Sequence, residues 1–153
     1  MAEKFEKFKF RESIQSIDKI NFLDIDKSKT NIIFDTNFLF VTFEFKVDVI
    51  EEIKKLIGSD YYLYIYEGTI LELENIERKK DKNRHFLPLI SKMLKLYNFK
   101  IIKSKKEYID DQILENLDEN IIIATNDKEL RQTIFSRRFK VLYLRQKAYL
   151  EIK

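Results

Sequence analysis

Apolar and polar positions along this chain follow two rhythms, and their alternation predicts most of its elements. Short, nearly unbroken apolar runs stand at 31–35 (NIIFD), 61–66 (YYLYIY), 98–102 (NFKII), 120–124 (NIIIA) and 140–144 (KVLYL). Runs of that length between polar stretches read as strands buried on both faces. Between them apolar residues recur at helical spacing. Val47 to Ile57 forms one such segment and stops at Gly58, and Thr69 to Glu77 forms a second through Ile70, Leu73 and Ile76. Phe86 to Tyr97, with Pro88 in its first turn, Tyr108 to Leu117, and Lys128 to Arg137 complete the set. The tail KAYLEIK reads as a short extra element. Strands alternating with helices predict an α/β domain of three layers, α/β/α, around a central parallel sheet of about five strands. Upstream, residues 3–20 set Phe5, Phe8, Ile14, Ile17 and Ile20 among charges, and the polar stretch 24–30 follows. The expected division is therefore an amphipathic N-terminal extension over 1–30 and a domain over 31–153.

Composition narrows the classes. A chain of 153 residues suits one domain with a sizeable core. It has no cysteine, which excludes disulfides and thiolate metal sites. Two glycines and one proline leave no Gly-rich phosphate loop. No apolar run approaches the ~20 residues that span a bilayer, and MAEKFEKFKF lacks the apolar centre of a signal peptide. The expectation is a soluble cytoplasmic protein without a membrane partner. The net charge of +3 hides clusters: Arg78, Lys79, Lys80, Lys82 and Arg84; Lys100, Lys103, Lys105 and Lys106; Arg131, Arg137, Arg138 and Lys140. Such clusters suit a polyanion, although a solvated lysine-rich face accounts for any one of them equally well.

The acids carry the candidate chemistry. In NIIFDTNFLF a carboxylate follows a buried strand directly, and an unpaired buried carboxylate is costly. Asp127 follows the NIIIA strand by three residues, and Asp110 and Asp111 open the helix that leads into that strand. Glu72 lies within the helix after YYLYIY, one residue before Leu73. Each has an ordinary role open to it. Asp35, Asp110, Asp111 and Asp127 suit helix N-termini, and Glu72 could be solvated like Glu74 and Glu77. Ligands of open parallel sheets bind beyond the strands' carboxyl ends, where strand order reverses. If the NIIFD and NIIIA strands are neighbours, Asp35 and Asp127 meet there. Carboxylates at ~5 Å repel by on the order of 3 kcal/mol per pair at an effective dielectric near 20. A hard divalent cation, Mg²⁺ or Mn²⁺, is the simplest counter-charge. His85, the sole histidine, is assigned no role.

At these residues the sequence resembles the PIN-domain nucleases, in forms like VapC toxins and ribosomal RNA-processing enzymes. The matching motifs are IIFDTNFLF, TILELENI, IDDQILENL and IIIATNDKELRQTI, in the family's order, from about Asn31 to the C-terminus. The resemblance implies a PIN-like fold and a Mg²⁺- or Mn²⁺-dependent endoribonuclease with Asp35, Glu72, Asp110 and Asp127 as catalytic metal ligands. Asn37, Thr125, Asn126 and Asp111 would support them, and Arg78, Lys79, Lys80, Arg84 and Arg131 would hold RNA. Implied partners are RNA and either an antitoxin or ribosome-assembly factors. Homodimers are common among relatives, and the apolar face of residues 3–20 could serve one. The non-enzymatic alternative is a silent RNA-binding or scaffold domain. A haloacid-dehalogenase phosphatase would need an acid where Asn37 stands, and a receiver domain would need an aspartate where Lys103-Ser104 stands.

Overall fold

The computed structural model describes residues 7–104 and 109–153. Lys105, Lys106, Tyr108 and Phe5, which entered the expectations above, lie outside those residues. The strands are β1 (Lys19–Ile20), β2 (Thr30–Phe34), β3 (Tyr61–Tyr66), β4 (Lys100–Ile102), β5 (Ile121–Ala124), β6 (Lys140–Arg145) and β7 (Tyr149–Ile152). The helices are α1 (Phe10–Ser13), α2 (Val41–Phe45), α3 (Val49–Ile57), α4 (Glu67–Arg78), α5 (Leu87–Leu96), α6 (Ile109–Glu115) and α7 (Lys128–Ser136). Among the described residues the strands form one sheet in the order β1-β4-β3-β2-β5-β6-β7. All neighbours pair in parallel except β6 and β7, which are antiparallel. The five expected strands are present, and β1 and β7 extend the sheet at its two edges.

The apolar runs are continuous because both sheet faces are covered. Side chains alternate along a strand, so Ile32 and Phe34 join one core with Leu63, Ile65, Ile101, Ile122 and Leu142. That core is closed by Ile50 and Ile53 of α3, Ile70 and Leu73 of α4, and Ile90 and Leu94 of α5. Ile33, Tyr64, Tyr66, Ile102, Ile121 and Ile123 point to the other face, covered by Ile109 and Ile113 of α6 and Leu130 and Ile134 of α7. Local signals end the elements where the sequence places them. Asp48 caps α3 by accepting from the Glu51 amide at 3.1 Å, and Gly58, at φ 82°, takes the chain out of it.

Two segments differ from the pattern-based reading. Residues 36–45 (TNFLFVTFEF) form a 3₁₀ turn over Thr36–Phe40 that runs into α2. The stretch has no 3.6-residue period because Phe38, Leu39, Phe40 and Val41 are all buried. Among its described residues the N-terminal extension contains the single turn α1, a 3₁₀ turn over Phe22–Asp24 and the edge strand β1, which pairs with β4. Phe10 and Ile14 are buried in the domain's own core, which leaves those two side chains unavailable to a second copy. Glu77 accepts the Phe10 amide at 2.9 Å and Glu74 pairs with Arg11, so neither glutamate is merely solvated. No helix among the described residues is long and apolar enough to cross a membrane.

The order of strands places the site. From β2 the chain moves outward through β3 to β4, then returns to lay β5 against the other side of β2. Strand order therefore reverses between β2 and β5. The Asp35 amide continues that pairing past the last residue of β2 by donating to the Ala124 carbonyl at 2.9 Å.

Because Phe10 is fully buried, Phe10→Ala should cost about 3–5 kcal/mol. Urea unfolding should show a lowered midpoint with a single transition. An unchanged midpoint would mean that the N-terminal segment contributes nothing to the domain's stability.

Candidate functional site

Asp35 is only 6% exposed, and it is the one buried carboxylate among the described residues. Three donors hold it. Its Oδ1 accepts from the Thr36 amide at 2.9 Å, and its Oδ2 accepts from Asn37 Nδ2 at 2.9 Å and Thr125 Oγ1 at 2.7 Å. Burial pushes its pKa up, and the Asp110 charge adds to the rise. The Thr125 hydroxyl, the Thr36 amide and Asn37 oppose it. The acid is thus oriented by hydrogen bonds, and no Lys or Arg among the described residues pairs with it.

The β5–α7 junction is built around the same hydrogen bonds. Thr125, fully buried, also accepts from the Asp127 amide at 3.1 Å. Asp127 is the N-cap of α7, with Oδ1 accepting from the Leu130 amide at 3.1 Å. Asn126 donates its amide to Asn37 Oδ1 at 3.0 Å and accepts from the Leu144 amide at 3.0 Å through its own side chain. Asn37, Thr125 and Asn126 therefore tie the turn after β2 to the turn after β5 and to β6. On the other side, the Thr36 hydroxyl donates to Thr69 in α4 at 3.0 Å, three residues before Glu72.

These contacts surround one cleft of about 610 Å³. Asp35, Glu72, Asp110 and Asp127 all line it, together with Asn37 and Asn126. The structure adds Glu44 from α2 and Asn83 from the loop after α4. Glu44 went unnoticed because its segment carried no periodic signal; an acid nine residues after Asp35 was the available clue. No Lys or Arg is among the described residues that line the cleft. Glu72, open to the cleft, has its pKa raised by partial burial and by Asp35 and Asp110, with the Thr36 hydroxyl opposing. Asp110 is raised by desolvation, then by Asp127, Asp111 and Glu129. Asp111 does not line the cleft and acts on Asp110 through its charge.

The basic residues divide. Arg78, Lys79 and Lys80 are exposed at the end of α4, and Arg84 is exposed in the following 3₁₀ turn. None of the four lines the cleft, although their chain neighbours Ile76 and Asn83 do. Arg131 lies elsewhere, over the ring of Tyr143 at 4.5 Å, in a separate cavity.

The acids ring a common space rather than closing on one point: among the described residues no three of them meet the spacing of a metal cage. The donor set is nonetheless all oxygen, which fits a hard divalent cation that keeps several waters between itself and the protein. Burial first, and the neighbouring carboxylates after it, push the pKa values of Asp35, Glu72 and Asp110 up.

Similarity to known proteins accords with this geometry. A family model described as a PIN-like domain matches residues 32–147, the span that carries every acid of the cleft. Ribonuclease VapC4 of Methanocaldococcus jannaschii is 33% identical over 124 residues, covering 79% of this chain and 95% of that protein. The structure of the PIN domain endonuclease Utp24 is similar in fold, with a TM-score of 0.62 and 21% identity over 80% of this chain and 90% of that one. On the family match and the VapC4 likeness together, this chain belongs to the PIN-like domain family.

Proposed function

We propose that this protein is a divalent-metal-dependent endoribonuclease that hydrolyses RNA phosphodiester bonds with Mg²⁺ or Mn²⁺. The observation that carries the reading is the convergence of Asp35, Glu44, Glu72, Asp110 and Asp127 on a cleft that no Lys or Arg among the described residues lines, at the point where strand order reverses. The likeness to a protein named as a ribonuclease supports the substrate.

Asp35, Asp110 and Asp127 would hold the ion directly or through water. When bound, it would activate water and offset charge developing on the scissile phosphate. Glu72 completes the ring of acids or orients the attacking water. Asn37 and Thr125 fix the Asp35 carboxylate, and Thr125 links it to the backbone of Asp127. Asn126 holds the two turns together, and Asp111 raises the proton affinity of Asp110. Arg78, Lys79, Lys80 and Arg84 hold the RNA backbone at the rim. Attack by water leaves a 5′-phosphate and a 3′-hydroxyl.

Two biological settings use this activity. The likeness to Ribonuclease VapC4 over 95% of its length favours a VapC-type toxin with an antitoxin as partner. The N-terminal segment that adds β1 to the sheet favours maturation of ribosomal RNA precursors, with ribosome-assembly factors as partners. A small antitoxin reading frame beside the gene would decide for the first.

Asp35→Asn should abolish Mn²⁺-dependent cleavage of RNA, as should EDTA, while circular dichroism stays that of the parent. Full residual cleavage would refute the assignment, and a parent without cleavage would leave a silent RNA-binding or scaffold domain. Thr125→Ala should lower activity or metal affinity about 10–100-fold by releasing the Asp35 carboxylate, read from a metal titration of cleavage rate. A pH series gives an independent measure of the repulsion. Raised carboxyl groups bind protons more tightly folded than unfolded. Their contribution to stability is full below the ordinary carboxylate range and is lost as pH rises through the raised folded-state values. In EDTA, Glu72→Gln should therefore raise the thermal midpoint at neutral pH, and the gain should fade on acidification. An equal or lower midpoint at neutral pH would contradict mutual repulsion in the cleft.

A further inference from the structure

The helix α7 separates two cavities of opposite character. Asp127, its N-cap, lines the acidic cleft, and the next residue, Lys128, lines a second cavity of about 250 Å³. Lys128, Arg131, Gln132 and Phe135 follow at spacings of three, four and seven, so they share one face of the helix. Tyr143 of β6 and Lys153 complete the wall opposite them, and no acid is among the described residues that line it.

Three features point to an occupant. Arg131 Nε is buried and has no hydrogen-bond acceptor among the described residues, although its Cζ lies over the Tyr143 ring, 4.5 Å from the ring centre. A buried donor left without an acceptor costs stability, and stacking on a ring does not satisfy it. Phe135 is 54% exposed, and Lys153 Nζ sits 5.8 Å from the centre of its ring. A large aromatic face is thus held open between cations. Past Phe135 and Lys153 the wall continues into a third cavity lined by Arg138 and Lys140. A row of cations with an exposed ring in it matches a flexible polyanion whose units carry both a phosphate and a flat base.

We propose that this face of α7 and β6 is a binding site for single-stranded RNA. Lys128, Arg131 and Lys153 take backbone phosphates, with Arg131 Nε–H gaining an acceptor, and Phe135 stacks a base. The site rests on the reading of RNA as the substrate of the adjacent cleft and deepens it. From Lys128 to Phe135 the helix rises about 10 Å, so a strand leaving the cleft reaches the ring within a short stretch. The arrangement separates the two tasks. The acidic cleft repels the RNA backbone until a cation enters, whereas this basic face binds the strand without metal.

The test uses the full chain in EDTA, with a short fluorescein-labelled single-stranded RNA followed by anisotropy across a salt series. The variants are Lys128→Gln and Phe135→Ala, both at exposed positions, with circular dichroism confirming that each folds. Each should weaken binding about tenfold. Lys128→Gln should also lower the salt slope by about 0.7, the value for one phosphate contact on a single strand, while Phe135→Ala should leave the slope unchanged. Parent-like affinity in both variants would overturn the proposal. Cleavage of the same RNA with Mn²⁺, measured in parallel, keeps the two readings apart. If the parent does not cleave but the variants bind weakly, the RNA site stands and the nuclease reading falls. If the parent cleaves and the variants bind normally, the reverse holds.

Discussion

Burying Asp35 at the end of a central strand is the constraint on which the rest of the site depends. A carboxylate there cannot be left without partners, and the partners among the described residues are hydrogen-bond donors rather than a lysine or arginine. One donor is the backbone of the turn that Asp35 itself starts, one is Asn37 two residues on, and one is Thr125 from a strand about ninety residues away. The last exists only because β5 lies beside β2. Pairing of these two strands is therefore both a fold-level event and the step that builds the site, since it brings the Asp35 carboxylate to the Thr125 hydroxyl, whose oxygen also accepts the Asp127 amide within its own turn.

Neutral donors keep the cleft negative. Had an arginine satisfied Asp35, the cleft would have lost the charge that makes it suitable for a divalent cation. Instead, burial and then the neighbouring acids raise the proton affinities of Glu72 and Asp110. Capping and ligand roles are compatible in this geometry. Asp127 uses one oxygen to cap α7 and keeps the other free of the cap bond. Asp35 starts the 3₁₀ turn through Oδ1 while Oδ2 is steered by side chains. The ordinary account of these aspartates as helix caps and the chemical account describe the same atoms.

The opposite signs on the two sides of α7 follow from the same economy of space. A single helix start presents Asp127 to the cleft, and the following turns present Lys128, Arg131 and Phe135 to the outer face. Arg131 stands over the Tyr143 ring in the outer cavity and does not line the cleft. The rim formed by Arg78, Lys79, Lys80 and Arg84 obeys the same rule from the other side, close to the cleft yet outside its lining.

Much of this was legible in the order of residues. Continuous apolar runs at β2, β3 and β5 announced strands covered on both faces, and Gly58, Pro88 and the capping aspartates marked helix limits. The acids were visible too, because a carboxylate directly after a buried strand conflicts with its surroundings. Tertiary structure alone decided the remainder, and the reason is that each feature depends on distance through space. Glu44 belongs to the cleft only because the 3₁₀ turn and α2, buried without any period to betray them, fold back over Asp35. Phe10 belongs to the core, and β1 to the sheet, only because Glu77 and β4 receive them. The motif in IDDQILENL already favours Asp110 over Asp111, and 100° of rotation per residue accounts for the cleft being lined by the first and not the second. Arg131 reads as one more cation in a basic helix until Tyr143 is brought beneath it, because periodicity identifies a helix face but not the surface it will meet.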